Sequence, residues 1–219
     1  MNINQKIILD KMFEFGEKLL GTHRGRWLNK ESHRRTNTQP LWCSNDPLPS
    51  IQDLKNGGMN CCGFLNVILR AVGQTLPWVS PSRKDTGGLE WGYGGGDEWC
   101  FLYRNKLKKF DSNGEYPRGT ILIRVYTDYD GGHVALLAEQ SGKAKSLLDC
   151  FVLHTAGDGL GKNMVTNTET VRFSHEYYSR GKRWNWDTNG EFEVSFGCSE
   201  HPVPYYTHVL FPEDYIQDI

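Results

Sequence analysis

The sequence predicts an α+β fold in which N-terminal helices pack on an antiparallel sheet, and two observations carry that prediction. In the first third of the chain, apolar residues recur three and four positions apart: Ile8, Met12, Phe15 and Leu19, and again Phe64, Val67, Ile68, Ala71 and Val72. From about residue 120 the pattern changes to short apolar runs separated by glycine-bearing turns. Connections that short join antiparallel neighbours, and helices first with strands later read as α+β.

The chain has 219 residues, 38% of them hydrophobic and 12% aromatic, enough for one sizeable core, so a single domain over 1–219 is expected. The formal net charge of -1 gives no footprint for nucleic acid, and no stretch approaches the length of a membrane span. The start, Met1 to Asp10, lacks the apolar core of a signal peptide. The expectation is therefore a cytoplasmic protein, or one delivered without a classical signal peptide, a virus-encoded product included. Cys43, Cys61, Cys62, Cys100, Cys150 and Cys198 follow no framework spacing, which favours reduced thiols.

In chain order, residues 3 to 20 alternate charged positions with the stripe Ile8, Met12, Phe15 and Leu19, a surface helix with one buried face. A polar, basic segment with Pro40, Pro47 and Pro49 follows. Residues 59 to 73 then predict a short amphipathic helix, with Asn60 as N-cap and Gly73 as its stop. An insertion at about 75–118 carries Gly92 to Gly96 among Trp78, Trp91, Trp99 and Tyr103, suited to a lid or groove wall, or to a minor core over the insertion. Strands are expected at Ile121 to Tyr126, His133 to Glu139, Ser146 to His154 and Thr170 to Phe173. A C-terminal hairpin extension at about 176–219 turns at Asn189-Gly190, and the proline-rich stretch His201 to Tyr206 is unsuited to a central strand.

The chemistry concentrates on the second helix. With Asn60 as cap, Cys61 stands at the first helical position, where unpaired backbone N–H groups and the positive end of the helix dipole favour thiolate. A thiolate needs a proton donor for the leaving group, and two later strands offer imidazoles: His133 behind Gly131-Gly132, and His154 at the end of the next strand. Strict alternation sets Cys150, Val152 and His154 on one face and Asp149 on the other, which prefers His154 over Asp149 as the group that orients His133. Zinc ligation by the same three residues lacks a fourth ligand. No metal or cofactor is expected, and the glycines match no phosphate-cradling motif.

These residues resemble the NlpC-type branch of the papain-like cysteine peptidases. Its nucleophile motif, Asp-Cys-Ser-Gly-Phe/Leu, is similar to Asn60-Cys61-Cys62-Gly63-Phe64, and its Gly-His-Val motif to Gly132-His133-Val134. Its third polar residue is matched by His154 in His154-Thr155-Ala156-Gly157, and its strand entry by Pro117-Arg118-Gly119-Thr120-Ile121. The resemblance covers roughly residues 52 to 165. Asn60 and Cys62 depart from the pattern, and Cys62 would point about 100° around the helix from Cys61.

The resemblance implies a papain-like (NlpC-type) fold and a Cys61-His133-His154 triad hydrolysing an amide bond. In this family the substrate is most familiarly a cell-wall (peptidoglycan) stem peptide. Two alternatives stand beside it: an acyltransferase or lipid hydrolase of the same clan, and an inactive structural or binding protein on the same scaffold. The sequence leaves the oligomeric state open.

Overall fold

The computed structural model describes residues 1–23, 48–59, 61–74, 103–124, 133–155, 164–171 and 206–218, and the backbone of 173–174, 179–185, 190–196 and 203–204. The expected cap Asn60, the stretch 75–102 with its tryptophans and glycine run, the Gly131-Gly132 turn, Ala156-Gly157 and Asn189 lie outside the described residues.

Helix α1 (Ile3–Lys18) begins with a capping box: Asn2 Oδ1 accepts from the Gln5 N–H at 2.8 Å, and Gln5 Oε1 accepts from the Asn2 N–H at 3.0 Å. Its buried residues are Leu9, Met12, Phe13 and Gly16; Met12 and, just past the helix, Leu19 are buried as expected, while Leu9 and Phe13 take the core places expected of Ile8 and Phe15, which lie at its margin. The reason is Gly16. A Cβ there would come within 2.7 Å of Leu153 Cδ2 and 3.3 Å of Phe64 Cζ, so α1 settles where it has no side chain. Hydrophobic periodicity gives no weight to such a residue. Gly16→Val should therefore lower stability by about 1–3 kcal/mol through overpacking, read as a reduced urea midpoint with an unchanged slope.

A second helix, α2 (Ile51–Gly57), follows the proline-rich segment and was not foreseen; Ser50 caps it, accepting from the Asp53 N–H at 3.1 Å. Helix α3 (Cys61–Ala71) is buried from Cys62 through Leu69, on every side rather than along one stripe. It is the central helix of the molecule, not an amphipathic one on its surface. It ends in a Schellman motif, with Gln74 N–H on Leu69 O at 3.1 Å and Gly73 N–H on Arg70 O at 3.0 Å.

The strands are β1 (Lys108–Lys109), β2 (Ile121–Arg124), β3 (His133–Leu137), β4 (Phe151–Thr155), β5 (Val165–Thr170), β6 (Phe173–Ser174), β7 (Ser179–Asn185), β8 (Gly190–Phe196), β9 (Val203–Pro204) and β10 (His208–Leu210). Six form one antiparallel sheet in the order β1-β10-β2-β3-β4-β5; β6 pairs with β9 and β7 with β8. Helices and a six-stranded antiparallel sheet make the molecule α+β, as expected.

The sheet also corrects several boundaries. β10 lies between β1 and β2, so the end of the chain is part of the main sheet and not an extension from it. Likewise β1 and the buried Tyr116 come from the stretch expected as an insertion. A three-residue strand beside prolines leaves no alternation to detect. The expected strand from Ser146 begins only at Phe151, because Leu147–Asp149 form a 3₁₀ turn opened by the Ser146 hydroxyl, which accepts from the Leu148 N–H at 3.3 Å. The strand expected at Thr170 runs instead from Val165 to Thr170. Between β7 and β8 Gly190 pairs with Asn185, so Gly190 belongs to a strand.

Two apolar layers sandwich the sheet. Ile121, Ile123, Val134, Leu136, Leu153 and Leu210 join the helices in the larger core. Leu122, Ala135, Leu137, Val152 and Val209 alternate with them and meet Tyr116, Leu147, Cys150, Val171 and Tyr206 in a second core. The strand β3 is consequently buried at all five positions, which places its first residue, His133, at the end of a rigid element. The chain end is tied down too: Gln217 N–H donates to Gln74 Oε1 at 2.8 Å, and Gln5 Nε2 donates to Ile216 O at 2.9 Å. No described helix is long and apolar enough to cross a membrane.

Candidate active site

Cys61 is the first residue of α3. It is partly exposed whereas Cys62 is buried, as expected for neighbours about 100° apart around a helix. Both are free thiols, with their sulfurs 3.9 Å apart.

The imidazoles come from two adjacent strands. β3 and β4 pair Leu136 with Leu153 and Leu137 with Val152. Continuing that register sets His154 opposite Ala135, diagonal to His133, a separation that long side chains bridge. His133 Nε2 and His154 Nδ1 are 2.8 Å apart, with the rings at 76° to one another. The His133 imidazole, by its charge and polarity, and the Val134 backbone both act on the Cys61 thiol. Since Nε2 is committed to His154, Nδ1 is the nitrogen left for sulfur. Of the three residues singled out in the sequence, His133 and His154 are hydrogen-bonded and His133 acts electrostatically on Cys61, while Asp149 sits on the 3₁₀ turn rather than on the strand.

The electrostatics favour thiolate. The Cys61 thiol is held well below its ordinary value of 9.0 by the adjacent Cys62 thiol, and further by the charge and hydrogen bond of His133 and by Val134, while burial opposes them. Cys62 at 3.9 Å is a weak, soft donor; the imidazole is the partner that can also take the proton. Burial pushes His133 below 6.5, Arg124 adds to that, and the Cys61 thiolate with its hydrogen bond pulls the other way. Arg124, only 8% exposed, is the cross-strand partner of His133.

Two residues near the imidazoles went unnoticed in the sequence. Tyr206, buried in the second core, has its ring 6.3 Å from that of His133. Glu169 on β5 places Oε2 3.1 Å from His154 Nε2. The signal for Glu169 was present as Val165-Thr166-Asn167-Thr168-Glu169-Thr170, a run rich in β-branched residues that continues the sheet without an apolar alternation.

Compared with protein-family models, curated proteins and solved structures, the chain matches none. Chemical capacity is therefore read from the site: a thiol whose ionisation is favoured, an imidazole that contributes to that, and a second imidazole hydrogen-bonded to the first. Alkylation reports the thiolate directly. Because only thiolate reacts, the rate should rise with pH through an inflection below 9.0, and iodoacetamide should label Cys61 ahead of Cys62. Preferential labelling of Cys62 at mildly acidic pH would reverse the assignment.

Proposed function

We propose that this protein is a papain-like thiol hydrolase that cleaves an amide bond, of the stem-peptide type that its NlpC-like motifs imply. The observation that carries the proposal is the hydrogen-bonded pair His133–His154 acting on the Cys61 thiol at the start of α3. A free thiol at a helix start is common; one acted on by a pair of buried imidazoles from neighbouring strands is what covalent catalysis requires.

In this mechanism the Cys61 sulfur attacks the carbonyl carbon and forms the C–S bond while the carbonyl oxygen takes the negative charge. Unpaired N–H groups of the first turn of α3 would stabilise that oxygen. His133 holds the proton from sulfur and delivers it to the leaving nitrogen as the C–N bond breaks. Water then attacks the thioester with His133 as base, releasing the acid and restoring the thiol. His154 keeps the His133 ring from rotating out of line. The resting proton belongs to the Cys61–His133 pair, so the apparent ionisations of activity are properties of the pair and not of either residue.

The test is incubation with purified peptidoglycan and with synthetic stem peptides. New amine termini from wild type, absent with Cys61→Ala, and a thioester adduct on Cys61 support the hydrolase. Binding without cleavage would replace it with the inactive scaffold, and transfer of an acyl chain from a lipid ester with no amide cleavage would replace it with the acyltransferase.

A further inference from the structure

The sheet carries a built irregularity beside the imidazoles. Along β4 and β5, Val152 pairs with Glu169 and His154 with Thr166. Two steps on β4 are therefore matched by three on β5, a bulge with its extra residue in β5. The bulge is held internally: the Thr168 N–H donates to Thr166 Oγ1 at 3.2 Å, and the two hydroxyls are 2.9 Å apart. Opposite Val152, Glu169 is a diagonal neighbour of His154, and its carboxylate reaches the His154 Nε2 at 3.1 Å. The Glu169 side chain is 16% exposed and that of His154 2% exposed, so the contact is largely screened from water.

We propose that Glu169 is a fourth, positioning member of the site, which sets the direction of every hydrogen bond from His154 to Cys61. The inference rests on the hydrolase proposed above and extends it by one residue. A carboxylate can only accept. His154 Nε2 must therefore carry a proton, and in the neutral ring Nδ1 is then a lone pair. Facing that lone pair, the His133 Nε2 must be the protonated nitrogen, so in neutral His133 the lone pair is on Nδ1, toward Cys61. Without an acceptor at His154 Nε2, the opposite arrangement becomes available, in which His154 donates to His133 and neutral His133 carries its proton on Nδ1. That ring can no longer accept the Cys61 proton. The carboxylate also favours positive charge building on the relay as the thiolate forms.

Glu169 touches neither sulfur nor substrate, so its test needs readouts that shape alone does not move. In the wild-type protein, ¹⁵N NMR of labelled histidine should show His154 protonated at Nε2 and bare at Nδ1. Glu169→Gln keeps the shape, removes the charge and, because an amide can donate as well as accept, no longer imposes the direction. It should lower kcat on a cleaved stem peptide by about 10–100-fold with KM within about twofold, and move the Cys61 alkylation inflection to higher pH. Glu169→Asp should recover part of both. The proposal is overturned if wild-type His154 carries its proton on Nδ1, or if Glu169→Gln leaves kcat and the alkylation profile unchanged while Cys61→Ala abolishes turnover. If wild type cleaves nothing, the hydrolase fails by itself, and the NMR and alkylation arms still decide the role of Glu169.

Discussion

Cys61→Ala should abolish cleavage, with kcat lowered on the order of ten-thousand-fold to a million-fold, because removing the nucleophile leaves only substrate binding and oxyanion stabilisation. The fold should survive. Cys61 is partly exposed at a helix start, so losing its sulfur opens no deep cavity. Circular dichroism and a thermal melt close to wild type would establish that the missing activity is chemical. The paired experiment is Cys62→Ala. Cys62 is 8% exposed and contributes to the larger core, and its thiol helps to hold the Cys61 value down across 3.9 Å. Its removal should move the Cys61 inflection upward and slow turnover less than about tenfold, since an S–H donor is weak. If instead Cys62→Ala were the dead variant and Cys61→Ala the active one, the nucleophile would lie on the wrong face of α3 and the site would have to be rebuilt.

The parts of the site that could be read from the sequence are those where local signals agree. Cys61 at a helix start, and two histidines at the ends of apolar runs, are short-range features, and the register of neighbouring strands brings the two histidines together; the packing of α3 on β3 is long-range. Glu169 was hidden for a physical reason. β5 is a terminal strand of the sheet's order, buried at Val165 and Thr166 and alternating between part-buried and exposed positions beyond, so it carries none of the apolar weight that marks β3. Its bulge then breaks the simple period, and only three-dimensional pairing shows that Glu169 faces His154. Tyr206 was hidden by its neighbours: Pro202 and Pro204 argue against a strand, and the chain reaches the sheet just beyond them, at His208. The departure of α1 from its expected stripe has a third cause, a close approach over Gly16 that no hydrophobicity scale registers.

His133→Ala carries the second largest expected effect and separates two roles that Cys61→Ala cannot. Loss of the general acid–base should cost kcat about a hundredfold to ten-thousand-fold, with the remainder depending on whatever thiolate survives. That remainder is measurable. His133 contributes both charge and a hydrogen bond to the lowering at Cys61, but the Cys62 thiol and the Val134 backbone contribute as well. The alkylation inflection of His133→Ala should therefore climb toward 9.0 without fully reaching it. A price in stability is also expected, because His154, 2% exposed, would lose its partner on Nδ1 and leave a buried polar atom unpaired, costing about 1–3 kcal/mol. Added imidazole offers the decisive control. It can enter the space left by the ring, accept the sulfur's proton and bond to His154, so it should raise both turnover and thiolate fraction in His133→Ala and neither in Cys61→Ala. Were the inflection in His133→Ala to stay at the wild-type position, sulfur and imidazole would not be coupled, and a hydrolytic site at the start of α3 would have lost its base.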